Sequence, residues 1–143
     1  MKTSVIILLT TFTVVLVVST LFANGLFDSI IKPDFDEKHV YTFATGDTVA
    51  VNARFVNFSW REARIDGVSS SCNIGDIKSP KIAKGKKGFF LKFKLFIPKQ
   101  IGHYTDQLVF ITDDNKSYFA GSVIKYNVIN GQGGNKSLDL KLK

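Results

Sequence analysis

The chain has 143 residues, 45% of them hydrophobic, and a formal net charge of +7. That length holds one domain with its own core rather than two. A single cysteine, Cys72, excludes an intrachain disulfide framework, and two histidines leave little material for a metal site.

From Ser4 to Ala23 the chain reads SVIILLTTFTVVLVVSTLFA, without a charged residue. About 20 apolar residues span a bilayer as a helix, so the length suffices. Its β-branched residues are no objection, because lipid forces backbone groups to pair within the segment. Two readings fit residues 1–23: a cleaved secretory signal opened by Lys2, or an uncleaved signal anchor. A small-x-small cleavage site is poorly met, since Leu21 stands two before Ala23, and the apolar run is long for a cleaved signal. The anchor is therefore the expectation, and residues 4–23 are the expected membrane contact. A buried helix of a soluble protein would carry a polar stripe, which this run lacks.

Both readings place the remainder outside the cytoplasm. The expectation is a single-pass protein of the cell envelope with its domain in the periplasm or outside the cell, or a secreted one if the leader is cleaved. Removing Lys2 from the total of +7 leaves +6, a balance suited to an anionic envelope component or an acidic protein face. An exported domain rarely meets nucleic acid, so no such partner is expected.

Residues 24–38, NGLFDSIIKPDFDEK, are expected to be a juxtamembrane linker. Leu26, Phe27, Ile30 and Ile31 have the spacing of one helical face, which fits a short interfacial helix or a loosely packed connection. Pro33 would end such a helix near Ile31. Asp34, Asp36 and Glu37 lack the glycine-turned, regularly spaced loop that calcium needs.

Residues 39–129 read as a β domain. HVYTFA carries Tyr41 and Phe43 on one face. After the Gly46-Asp47 turn signal, TVAVNARFVNF alternates, with Val49, Val51, Ala53 and Phe55 on one side. Asn57 to Glu62 reads as a connection, polar apart from Phe58 and Trp60. A short strand follows around Ile65 and Val68, with Gly67 as a candidate bulge. A loop to Lys87 holds a short strand near Ile82. Then GFFLKFKLFIP repeats apolar residues at every second position from Phe89 to Ile97. Its other face carries Phe90, Lys92, Lys94 and Phe96. In DQLVFIT, apolar residues on both faces predict a central strand. Asp113 to Lys116 read as a turn, and the next expected strand contains Gly121, where a bulge or close backbone contact is expected. Residues 130–143 open with NGQGGN and end in the alternating SLDLKLK, either a late edge strand or a flexible tail. Short strands between frequent turns predict an all-β, antiparallel sandwich.

The segments GDTVAVNARFVN, IDGVSSSCNI, IAKGKKGFFLKFKLFIP, GHY, DQLVFITDD and FAGSVI, in that order, carry a family likeness. The stretch from Tyr41 to Val128 resembles the bacterial Cys-Gly-Cys domains of unknown function, related to the hydin-like (ASH) and PapD-like immunoglobulin folds. The resemblance implies an immunoglobulin-like β-sandwich in an exported or membrane-tethered setting, and no established activity. It departs at Cys72-Asn73-Ile74, where Ile74 stands in place of the second cysteine, so a paired-thiol role is not carried over.

No catalytic, cofactor-binding or metal constellation is legible, and no enzyme activity is expected. Cys72 would need His39 or His103 as a base, and neither has a telling spacing to it. A lone cysteine at a strand end reads as a small buried residue. The alternative, a small envelope enzyme or redox protein using Cys72, rests on that thiol alone. The strongest surface feature is Lys84, Lys86, Lys87, Phe90, Lys92, Lys94 and Phe96. Lysines alone read as a solvated face that discourages edge aggregation, but outward phenylalanines mark a contact with a protein or an anionic envelope partner. The reading is a non-catalytic binding or scaffold module using this face or an exposed strand edge. Asn57, Asn115 and Asn135 each begin a glycosylation sequon.

Overall fold

The computed structural model describes residues 13–17, 19, 31–113 and 121–142. Residues 13–17 are helical, with Val14, Val15, Leu16 and Val17 exposed. The remainder of the expected anchor, together with Leu26, Phe27 and Ile30, lies outside the described residues. Among the described residues no helix is long and apolar enough to cross a membrane.

From Ile31 onward the described chain is all β. Its strands are β1 (Ile31–Pro33), β2 (Val40–Ala44), β3 (Thr48–Asn57), β4 (Ala63–Ser70), β5 (Ile74–Lys78), β6 (Ile82–Ala83), β7 (Gly88–Phe96), β8 (Gly102–Thr112), β9 (Gly121–Ile129) and β10 (Asn135–Leu140). They form two sheets of five strands among the described residues. One runs β1-β3-β7-β5 with β10 also on β3, and the other runs β2-β9-β8-β4-β6. The far edge of β3 is shared: β1 pairs antiparallel with Phe55 to Asn57, and β10 pairs parallel with Thr48 to Ala53. A second parallel pairing joins β2 to β9, so each sheet is mixed rather than purely antiparallel as the sequence predicts.

Period-two alternation explains the packing. Val49, Val51, Ala53 and Phe55 from β3 and Leu91, Phe93 and Leu95 from β7 are buried facing Leu108 and Phe110 of β8 and Ile124, Tyr126 and Val128 of β9. Phe110 bridges the layers, its ring centroid 4.9 Å from that of Phe55 and 5.7 Å from that of Phe89. Fully burying one such ring stabilises the fold by about 2–3 kcal/mol. The bulge expected at Gly67 is present as a register shift between Ile65 and Gly67. At Gly121 the expected close approach is also found, since a Cβ there would stand 2.9 Å from the Leu108 carbonyl oxygen.

One expectation changes and two are narrowed. The linker reading fails from Ile31 on: Ile31 is fully buried in β1 and Phe35 packs its ring edge against Phe55. A three-residue strand is too short to show a period, and Pro33 is tolerated because β1 lies at a sheet edge. β8 is central, as expected, yet Ile111 on its outward side is 45% exposed, so that face has no covering layer. Of the two readings of the tail, the edge strand is the one found, with Leu140 buried.

A buried carboxylate holds that last strand. Asp47, at the start of β3, accepts from the backbone N–H of Ala44 at 2.8 Å and of Gly134 at 2.9 Å, and pairs with Lys136 Nζ at 2.6 Å. Burial alone would raise its pKa. The Lys136 hydrogen bond, the two N–H donors and the Lys136 charge outweigh that and hold it below the usual carboxylate value.

Candidate functional site

The expected contact residues fall into two groups. Phe90, Lys92, Lys94 and Phe96 share the outward face of β7, with the two rings 45% and 44% exposed. Opposite them on β3 stand Arg54, Asn52, Ala50 and Thr48 respectively. Ser137 and Asp139 of β10 continue the rows of Ala50 and Asn52. On the other flank, Gly75 and Lys78 of β5 pair with Lys94 and Lys92. Together these strands line an open groove of about 590 Å³ with Ile77 and Asp76 at its rim. Small residues keep its floor low, and the Phe96 ring lies over Gly75, where a Cβ would come within 2.9 Å.

Charges on this face are largely answered. Lys94 Nζ stands 2.7 Å from Asp76, and the Lys94 hydrogen bond and charge pull the Asp76 carboxyl below its usual value. Arg54 pairs with Asp34, and its guanidinium lies against Gly88. Asn52 donates to Asp139 at 3.2 Å. The face is amphipathic and close to neutral, with a phenylalanine at each end.

Lys84, Lys86 and Lys87 are not on that face. They sit in the turn between β6 and β7, at the end of the sandwich where β3 finishes. A neutral buried hub builds this end. Asn57 Nδ2 donates to the carbonyls of Arg61 at 2.8 Å and Ala83 at 3.0 Å, and its Oδ1 accepts from Ser59 N–H at 3.1 Å. Two backbone bonds, Asn57 N–H to Lys87 O and Lys86 N–H to Ser59 O, fasten the 58–62 loop to the lysine turn. Gly85 is required there, because a Cβ would meet the Trp60 carbonyl oxygen at 2.3 Å. Lys86 adopts a left-handed φ of 54° and carries its Nζ over the Trp60 ring, 4.9 Å from the centroid. The hub thus fixes a tip on which Trp60 is 83% exposed, Phe58 51% and Ile82 49%.

From the sequence alone Phe58 and Trp60 read only as parts of a connection. Their available signal was two aromatics in a polar loop with no strand pattern to bury them. Asn57, counted as a glycosylation candidate, is fully buried and spends its amide on the hub. Cys72, expected to be buried, is exposed. His103 bonds Asn127 and His39 lies edgewise on Tyr41, so each histidine is engaged away from the thiol. Asn73, next to Cys72, is structural: its amide lies 3.3 Å from both oxygens of buried Asp106, which also accepts the Tyr126 hydroxyl at 2.6 Å. Burial first, then the Asp106 bond and charge, raise the Tyr126 pKa. The Asn73 carbonyl accepts Phe96 N–H, so this segment ties the two sheets together. Among the described residues no group of three His, Cys, Asp or Glu could hold a metal ion.

No family model matches the chain, and no curated protein does. Among solved structures, it is similar to the secreted serine protease VesC from Vibrio cholerae at 8% identity and a TM-score of 0.48, covering 68% of this chain and 23% of that one. It is similar to the Vibrio cholerae VesB protease at 8% identity and 0.43, covering 68% of this chain and 31% of that one. The chain spans a third or less of those proteases, and a likeness of this degree assigns it no activity.

Proposed function

We propose that this chain is a non-catalytic binding or scaffold module, an immunoglobulin-like domain tethered to a membrane through residues 4–23 and displayed outside the cytoplasm. The observation that carries the reading is the groove on the first sheet, lined by Lys92 and Lys94 of β7, a strand whose outward face also exposes Phe90 and Phe96. Exposed aromatic area beside placed charges is what a protein contact uses. The apolar run of residues 4–23 supports the tether, and the likeness of the Tyr41 to Val128 segments to the Cys-Gly-Cys domains fits the exported setting.

The face is favoured over a strand edge. The free edge of β5 is interrupted by a register shift, and Asp76 in it takes a φ of 52°, which blunts strand addition. The edge of β2 is only five residues long. Lys92→Glu with Lys94→Glu tests the face, because both side chains are exposed and neither is needed for the core. The expected result is an intact fold and loss of the protein crosslinks seen with the native chain in envelope membranes. Unchanged crosslinks would remove the face from the reading.

A further inference from the structure

The tip built by Asn57 lies where the described domain begins. In the β1–β3 register Ile31 is the partner of Asn57, and Asn57 directly precedes Phe58. Seven residues, 24–30, separate Ile31 from the apolar run that ends at Ala23. Fully extended, such a spacer reaches about 25 Å. If residues 4–23 occupy a bilayer, the end of the sandwich held nearest its surface is therefore the end that carries Phe58, Trp60 and the lysine turn.

The chemistry of the tip matches that surface. Tryptophan combines a large apolar ring with one N–H donor and is at home where hydrocarbon meets headgroups. Among the described residues Trp60 is the most exposed large hydrophobic one, and Phe58 and Ile82 are about half exposed. Arg61, Lys84, Lys86 and Lys87, all exposed, belong to the loop and turn that carry these side chains, with Lys86 over the Trp60 ring, against Glu62 and Asp113 at the same end. Cations ringing an apolar tip attract anionic headgroups while long side chains keep their charges in water. Resting on the tethered reading above, we infer that the Phe58–Trp60 loop and the Lys84–Lys87 turn form a docking surface for an anionic lipid bilayer. This docking holds the domain in one orientation and leaves the Phe90–Phe96 groove facing sideways, free for a partner.

The test uses the full chain reconstituted in vesicles of phosphatidylcholine alone, or mixed with phosphatidylglycerol. Trp60 is the one tryptophan of the chain, so intrinsic fluorescence reports this loop alone. In the anionic vesicles Trp60 emission is expected to be blue-shifted, quenched by lipids brominated near the headgroup, and protected from aqueous iodide. The triple variant Lys84→Glu, Lys86→Glu, Lys87→Glu keeps the reporter, and each lysine removed should weaken docking about fivefold. A chain that floats with the vesicles while Trp60 stays open to iodide and untouched by brominated lipid overturns the docking and leaves the tether standing. A chain that floats with neither vesicle overturns the tether and the docking with it. Quenching as strong in the triple variant as in the native chain overturns the role of the lysines and hence the anionic surface.

Discussion

The groove face and the tip both set aromatic rings beside lysines, but they handle charge in opposite ways. On the face, Lys94 and Arg54 are paired with Asp76 and Asp34, and Asp139 stands across from Lys92 through Asn52. At the tip, Lys86 sits over a ring, and among the described residues Lys84, Lys86 and Lys87 make no ion pair. A neutralised amphipathic groove recognises shape and responds weakly to salt. An unpaired cluster acts through its net field and weakens as ionic strength rises. The two surfaces also rest on different buried anchors at opposite ends of β3: Asp47 holds β10, the wall of the groove, and Asn57 holds the tip.

Separating the anchors should separate the surfaces. Asp47→Ala is expected to cost the most, about 3–4 kcal/mol in urea unfolding, because the Ala44 and Gly134 N–H groups lose a buried acceptor. Hydrogen exchange should quicken along Asn135 to Leu140 and stay slow at the tip. Protection lost equally at both ends would mean that the anchors are not independent. The Asp47 carboxyl is held below its unfolded value, so its contribution is complete above the unfolded pKa of about 3.9 and is lost as pH falls through the folded one. The melting temperature of the native chain should therefore drop more steeply below pH 4 than that of Asp47→Asn.

Asn57→Ala comes next, at about 2–3 kcal/mol, since the Ser59 N–H and the Arg61 and Ala83 carbonyls lose their partner. Here the tip should loosen while the groove keeps its exchange protection. The smallest effect belongs to Trp60→Ala, expected within about 0.5 kcal/mol because the ring is exposed. A larger loss would mark Trp60 as a packing residue rather than a contact.

How far these regions could be read beforehand follows from how each is assembled. The groove face was legible because a single strand carries Phe90, Lys92, Lys94 and Phe96 at a period of two. Its walls were not, since Asp76, Ser137 and Asp139 arrive through pairing across the sheet. Nearness in sequence groups Lys84, Lys86 and Lys87 with the face, but the left-handed turn at Lys86 directs them to the tip. The tip itself was hidden, because Asn57 joins loops 26 residues apart through side-chain bonds that no pattern announces. β1 escaped notice for want of length, whereas β3 and β7, at ten and nine residues, repeat the alternation often enough to be seen.

The most direct test places a photo-reactive phenylalanine analogue at position 96 in one chain and at position 60 in another, each in native envelope membranes. The position 96 probe should yield protein adducts and the position 60 probe lipid adducts. Lipid adducts at 96 with protein adducts at 60 would contradict the account.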